Sequence, residues 1–124
     1  MARSIDNIVV GVRSINKATD MWIDHFGLEV VSERNGADSD LSKLWGLDDD
    51  QIEKQVLLAT PQVEVGRIHL VQFKNPLLPV RQHANATDLG PKNLDLKCLD
   101  LPKKYHELID LGYSFRSKYV AYQI

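Results

Sequence analysis

Apolar residues along this chain fall into short runs whose spacing changes between two and three to four. Residues 5–12 alternate imperfectly and carry Ile8, Val9, Val10 and Val12, a short β-branched stretch that predicts a strand. Ser14 then offers a hydroxyl to cap a helix. Ile15, Ala18, Trp22 and Phe26 follow at helical spacing, which puts them on one face. Gly27 stands where a left-handed stop is needed, and residues 28–33 read as the returning strand. Residues 35–50 are polar, with Leu41, Leu44 and Trp45 inside them. Ser39 or Asp40 could cap a short helix there, ended by Gly46. Residues 55–60 and 66–73 read as two strands joined by a turn around residues 61–65. The first half is therefore β-α-β, an excursion, then β-β.

Residues 74–89 contain Pro76 and Pro79 with Asn75, Asn85 and Asp88, and they read as an irregular connector. The opening pattern then returns. Leu94, Leu96 and Cys98 alternate, Asp100 is a cap, and Pro102 sits in the first helical turn, where its missing N–H is harmless. Leu101, Tyr105, Leu108 and Leu111 form the apolar face, and Gly112 stops the helix. Residues 113–115 begin a further strand, and residues 119–124 supply another candidate. Asn7 falls on Asn93, Val12 on Cys98 and Ser14 on Asp100, all at an offset of 86 residues, while Gly27 and Gly112 differ by 85. Agreement of strand, cap, helix and stop indicates a duplicated unit. The expected organisation is one domain over residues 1–124, with module one at about 4–73, a connector at about 74–89 and a partial module two at about 90–124. By the same offset a full second copy would run to roughly position 159. Its last two strands are expected to come from a neighbouring chain in a homo-oligomer (a dimer), or from a longer natural chain of which this one is a fragment, because open sheet edges invite pairing.

Composition excludes several classes. With 124 residues, 44% hydrophobic and 26% charged, the chain can fold around one core. A net charge of −2 with scattered Lys and Arg argues against a nucleic-acid or membrane partner. One cysteine, Cys98, allows no internal disulfide and no paired-cysteine zinc site, and it reads as a small buried apolar residue. The N-terminus lacks a signal-peptide core, so a cytoplasmic location is expected. Asp48, Asp49 and Asp50 form a charge run without the spacing of a calcium loop.

Three stretches carry a family resemblance. The first is Ile5-Asp6-Asn7-Ile8-Val9-Val10-Gly11-Val12 with the following helix and Phe26-Gly27-Leu28-Glu29-Val30-Val31. The second is Gly66-Arg67-Ile68-His69-Leu70-Val71-Gln72-Phe73. The third is Gly90 to Leu101. Together they resemble the vicinal oxygen chelate superfamily, which includes glyoxalase I, bleomycin resistance proteins and extradiol dioxygenases. That resemblance implies an α+β fold of paired βαβββ modules, whose curved mixed sheet surrounds a cavity, with the second module incomplete here.

It also implies metal-ligand positions on the first and fourth strands of each module. Here these are Asn7, His69 and Asn93, and the fourth would fall at roughly position 155 by the repeat offset. Members that hold an ion generally have His at both first-strand positions, where this chain has Asn. An amide oxygen is a weaker ligand than imidazole for Zn, Fe, Ni or Mn, and a catalytic site usually needs about three protein ligands. Two readings follow. One is a glyoxalase-like protein binding a small organic ligand without the usual divalent metal. The alternative is a metal-dependent lyase, isomerase or dioxygenase, using Fe, Mn, Ni or Zn, completed by a partner chain or a C-terminal segment. Cavity-lining candidates are Asn7, His69, Asn93 and Trp45, and His69 is the sole metal candidate. Each has a plainer reading. His69 could be an ordinary strand residue facing away from Ile68 and Leu70. The asparagines could satisfy local backbone. Trp45 could form a satellite cluster with Leu41 and Leu44.

Overall fold

The computed structural model describes residues 5–36, 39–48, 50–79, 83, 85, 87–89 and 94–120. Its contacts divide the chain into two units, Met1–Pro79 and Val80–Ile124.

The first unit is a four-stranded mixed sheet with helices. β1 is Asn7–Val12, β2 is Glu29–Asn35, β3 is Ile52–Ala59 and β4 is Arg67–Phe73. Their spatial order is β1-β4-β3-β2. β3 and β4 are antiparallel neighbours in the middle, β2 runs antiparallel to β3, and β1 runs parallel to β4. The inner strands hold most of the buried apolar residues, among them Ile52, Val56, Leu58, Ile68, Leu70 and Val71, as strands flanked on both sides should.

Between β1 and β2 the chain crosses one face of the sheet as α1, Ile15–Asp20, continued by a π-helical segment, Met21–His25. Ser14 caps α1, its Oγ accepting from the Lys17 N–H at 3.4 Å. A second tie holds the same end: the Ile15 N–H donates to Gln72 Oε1 of β4 at 2.7 Å. The wider π turn departs from the continuous α-helix expected over residues 15–26. Just after it Phe26 packs against Trp22, with ring centroids 5.3 Å apart and planes tilted by 45°, and Phe26 is half-exposed at the end of the apolar face. Gly27, at φ +69°, stops the helix, and Gly27 and Leu28 donate back to the Ile23 and Trp22 carbonyls. The core lies between this helix and the sheet. Ile15 and Leu28 are buried with Val56, Leu58, Ile68 and Leu70, and Val10, Val12, Ala18 and Trp22 pack around them.

α2, Ser39–Trp45, occupies the excursion between β2 and β3. Ser39 and Asp40, expected as caps, lie inside the helix, and the residue before them is outside the described residues. Gly46 follows at φ +64°. Leu44 is exposed, so the expected cluster with Leu41 and Trp45 does not include it. β3 starts at Ile52, three residues before the expected strand, across a bulge that shifts its register on β4 between Ile52 and Lys54.

In the second unit α3, Leu101–Asp110, is the one regular element among the described residues. Asp100 caps it, with Oδ1 accepting from the Lys103 N–H at 3.0 Å, so both helices are capped at the third residue in. Gly112 stops it at φ +86°. Lys104 donates to Glu107 at 2.7 Å, and this bond holds the Glu107 carboxyl below its usual range. Tyr105 packs on Phe115 and Tyr119, at centroid distances of 4.8 and 5.4 Å.

No strand forms at residues 94–98 or 113–115, nor at 119 and 120 of the candidate at 119–124, whose last four residues lie outside the described residues. The reason is in the first unit. There β1 pairs only with β4, and β2 only with β3. In the expected repeat, residues 94–98 and the strand begun at 113–115 would take the places of those two outer strands, and the described residues of the second unit hold no inner pair to template them. Cys98 is correspondingly exposed, against the expectation that it is buried. No helix among the described residues is long and apolar enough to cross a membrane.

Three outcomes follow from this packing. Leu70→Ala, at a fully buried core position, should destabilise the chain by about 2–5 kcal/mol in urea unfolding. Gly27→Ala meets no atom within 4 Å, so its cost of about 1–2 kcal/mol comes from the left-handed backbone alone. In hydrogen exchange, β3 and β4 amides should be the slowest and those of residues 94–98 among the fastest.

Candidate functional site

Strand alternation sorts the residues of the first unit onto two faces. The aligned positions Val10, Leu70 and Val56 belong to the helix-covered face. Val9, His69 and Leu57 stand side by side on the other, with Asn7 beside Arg67, Gln55 beside Val71, and Ser32 and Arg34 beyond them on β2. On this second face lies an open hollow of about 340 Å³, lined by Asn7, Ser32, Glu33, Arg34, Gln55, Leu57 and His69. Glu33 alternates toward the helix face, where its carboxylate meets Lys54 Nζ at 2.6 Å. The side chains offered to the hollow are thus a guanidinium, an imidazole, amides, a hydroxyl and one leucine.

His69 stands on an inner strand near the middle of this face and is partly buried. Its Nε2 lies 3.0 Å from Gln55 Oε1, and its ring centroid lies 6.4 Å from that of Trp45, tilted by 40°. Trp45 therefore brings α2 to the hollow's side of the sheet. Gln55 is buried, and its Nε2 donates to the Gly36 carbonyl at 2.6 Å. Gly36 in turn donates its N–H to the Glu53 carbonyl at 2.8 Å. Its φ of +75° is a left-handed turn that glycine adopts freely. Asn7 is exposed at the rim, with Nδ2 donating to Asp6 Oδ2 at 3.2 Å.

Of the sequence candidates, the structure brings Asn7 and His69 to one hollow and Trp45 beside His69. Asn93 lies outside the described residues. Gln55, Ser32 and Arg34 were missed. Gln55 reads as a strand's first residue if β3 begins there. With the strand starting at Ile52, a glutamine sits in the interior of an inner strand, and a buried amide there needs partners.

A divalent ion of the kind the resemblance implies does not fit the described donors. They supply one imidazole and amide oxygens, and no group of three or more His, Cys, Asp or Glu side chains among them could hold an ion. The usual requirement is about three protein ligands.

The chain superposes on the crystal structure of a glyoxalase family protein from Bacillus cereus with a TM-score of 0.81 and 19% sequence identity, covering 99% of this chain and 81% of that chain. The fold is glyoxalase-like. At this identity the likeness concerns the fold alone. The crystal structure of SMU.1112c aligns at a TM-score of 0.44 and 17% identity, over 90% of this chain and 77% of that one, too distant to bear on the fold. No protein-family model matches the sequence, and no curated protein matches it.

Proposed function

We propose that this glyoxalase-like chain binds a small organic molecule on the open face of its first sheet, through hydrogen bonds and Arg34 and not through a divalent ion. The observation that carries this reading is the hollow itself, about 340 Å³, near the lower end of the range of roughly 300–1,000 Å³ typical of ligand pockets. Its side chains are polar around Leu57, with Trp45 near the imidazole. A guanidinium has five N–H donors in a fork that suits a carboxylate or another oxyanion. Asn7 and Ser32 can hydrogen-bond further oxygens, and Leu57 offers an apolar surface to the carbon skeleton. The ligand class is therefore a small organic acid.

Binding should be visible as a raised melting temperature in a panel of small carboxylic acids. For the best of them, Arg34→Ala should weaken binding about tenfold or more in calorimetry, as expected for one charge-assisted hydrogen bond. Trp45 emission should change on binding, and that change should vanish in Trp45→Phe. Metal analysis of the purified protein supplies the opposing outcome. Stoichiometric Fe, Mn, Ni or Zn that is lost in His69→Ala would replace this reading with the metal-dependent enzyme.

A further inference from the structure

Gln55 links two groups that differ in what they can exchange. On one side is the Gly36 carbonyl, which can only accept a hydrogen bond. At 2.6 Å from it the amide must present its nitrogen, because two oxygens that close would repel. The other end of the same amide, its oxygen, then faces His69 Nε2 at 3.0 Å. An amide oxygen can only accept. The shared hydrogen must therefore come from His69, so Nε2 carries a proton. The orientation of Gly36 is fixed independently, since its own N–H is held by Glu53 at 2.8 Å, and Gln55 is buried among inner-strand residues.

We infer that Gln55 is the positioning residue of this site: it holds the His69 imidazole with Nε2 protonated and so withholds that nitrogen from any metal ion or transferable proton. A ring nitrogen must be bare to ligate. This goes beyond the proposed binding function and does not depend on whether an organic acid binds. It confines any ligation or general-base role of neutral His69 to Nδ1.

Long-range ¹H–¹⁵N correlation spectra of the ¹⁵N-labelled full chain read the ring directly. The His69 Nε2 should show the shift of a protonated nitrogen, with a proton protected from solvent exchange. Gln55→Leu removes the acceptor and should abolish that protection. Zinc chloride added to the unmodified chain should leave Nε2 protonated. A bare Nε2 in the unmodified chain overturns the inference even if the variant does not fold. Loss of the Nε2 proton on adding zinc, or protection unchanged in a folded Gln55→Leu, overturns it as well.

Discussion

The pairing of β3 with β4 is the constraint on which the rest of the first unit depends. Each outer strand has a single partner in that inner pair, β1 on β4 and β2 on β3. The same pairing fixes which side chains go to which face. Leu58 against Ile68 and Val56 against Leu70 are turned to the helix, while Leu57 against His69 and Gln55 against Val71 are turned to the hollow. A slip of one residue would bury His69 under α1 and expose Leu70. Burying a leucine stabilises by about 1.5–3 kcal/mol, and burying an unsatisfied polar group costs about 1–3 kcal/mol, so both terms oppose the slip. The core and the site are thus two sides of one register.

That register leaves polar atoms inside an inner strand, which must be compensated. Gln55 is satisfied at both ends, by Gly36 and by His69, so its amide costs little and its rotamer is fixed. On the opposite face Gln72 plays a related part, accepting from the Ile15 N–H and donating to Glu53 Oε2 at 2.7 Å. One glutamine anchors the start of α1 to the sheet and the other orders the imidazole. Gln72 meets residue 53, at the bulge, through its side chain, and Gln55 reaches it through Gly36, whose N–H donates to the Glu53 carbonyl. The bulge is therefore coupled to the helix attachment and to the hollow alike, which fits the tendency of bulges to lie next to sites.

What was legible in the sequence was what local signals encode. Ser14 and Asp100 as caps, Gly27 and Gly112 as stops, the run Ile8 to Val12, and the alternation of Ile68, His69 and Leu70 each needed only a few neighbouring residues. The glyoxalase-like fold was implied by the family resemblance that these stretches carry. The π turn after Asp20 did not, because Trp22 and Phe26 at a spacing of four suit either winding. Gln55 does not stand out because of one displaced boundary: the expected strand starts at residue 55, and Ile52 to Lys54, beside the acidic run, are not part of it, whereas β3 starts at Ile52. Arg34 and Ser32 were passed over because β2 has exposed residues throughout, so its alternation carries little hydrophobic contrast. Only its pairing with β3 shows which of its side chains reach the hollow.

The second unit separates local from long-range information in one segment. An α-helix closes its hydrogen bonds within itself, so Asp100, the Tyr105 face and Gly112 are enough to specify α3. A strand satisfies its backbone only through a neighbour. Residues 94–98 carry a strand's alternation and still form none, since the inner pair that holds the corresponding β1 has no counterpart among the described residues. Leu94, Leu96 and Cys98 are left exposed, although their spacing is that of a buried strand. Each half carries a capped helix and a left-handed Gly stop, and the likeness ends where partners are required. The first unit, with its inner pair in place, is where both a packed core and an ordered polar hollow can exist, and His69 owes its fixed hydrogen to that pair.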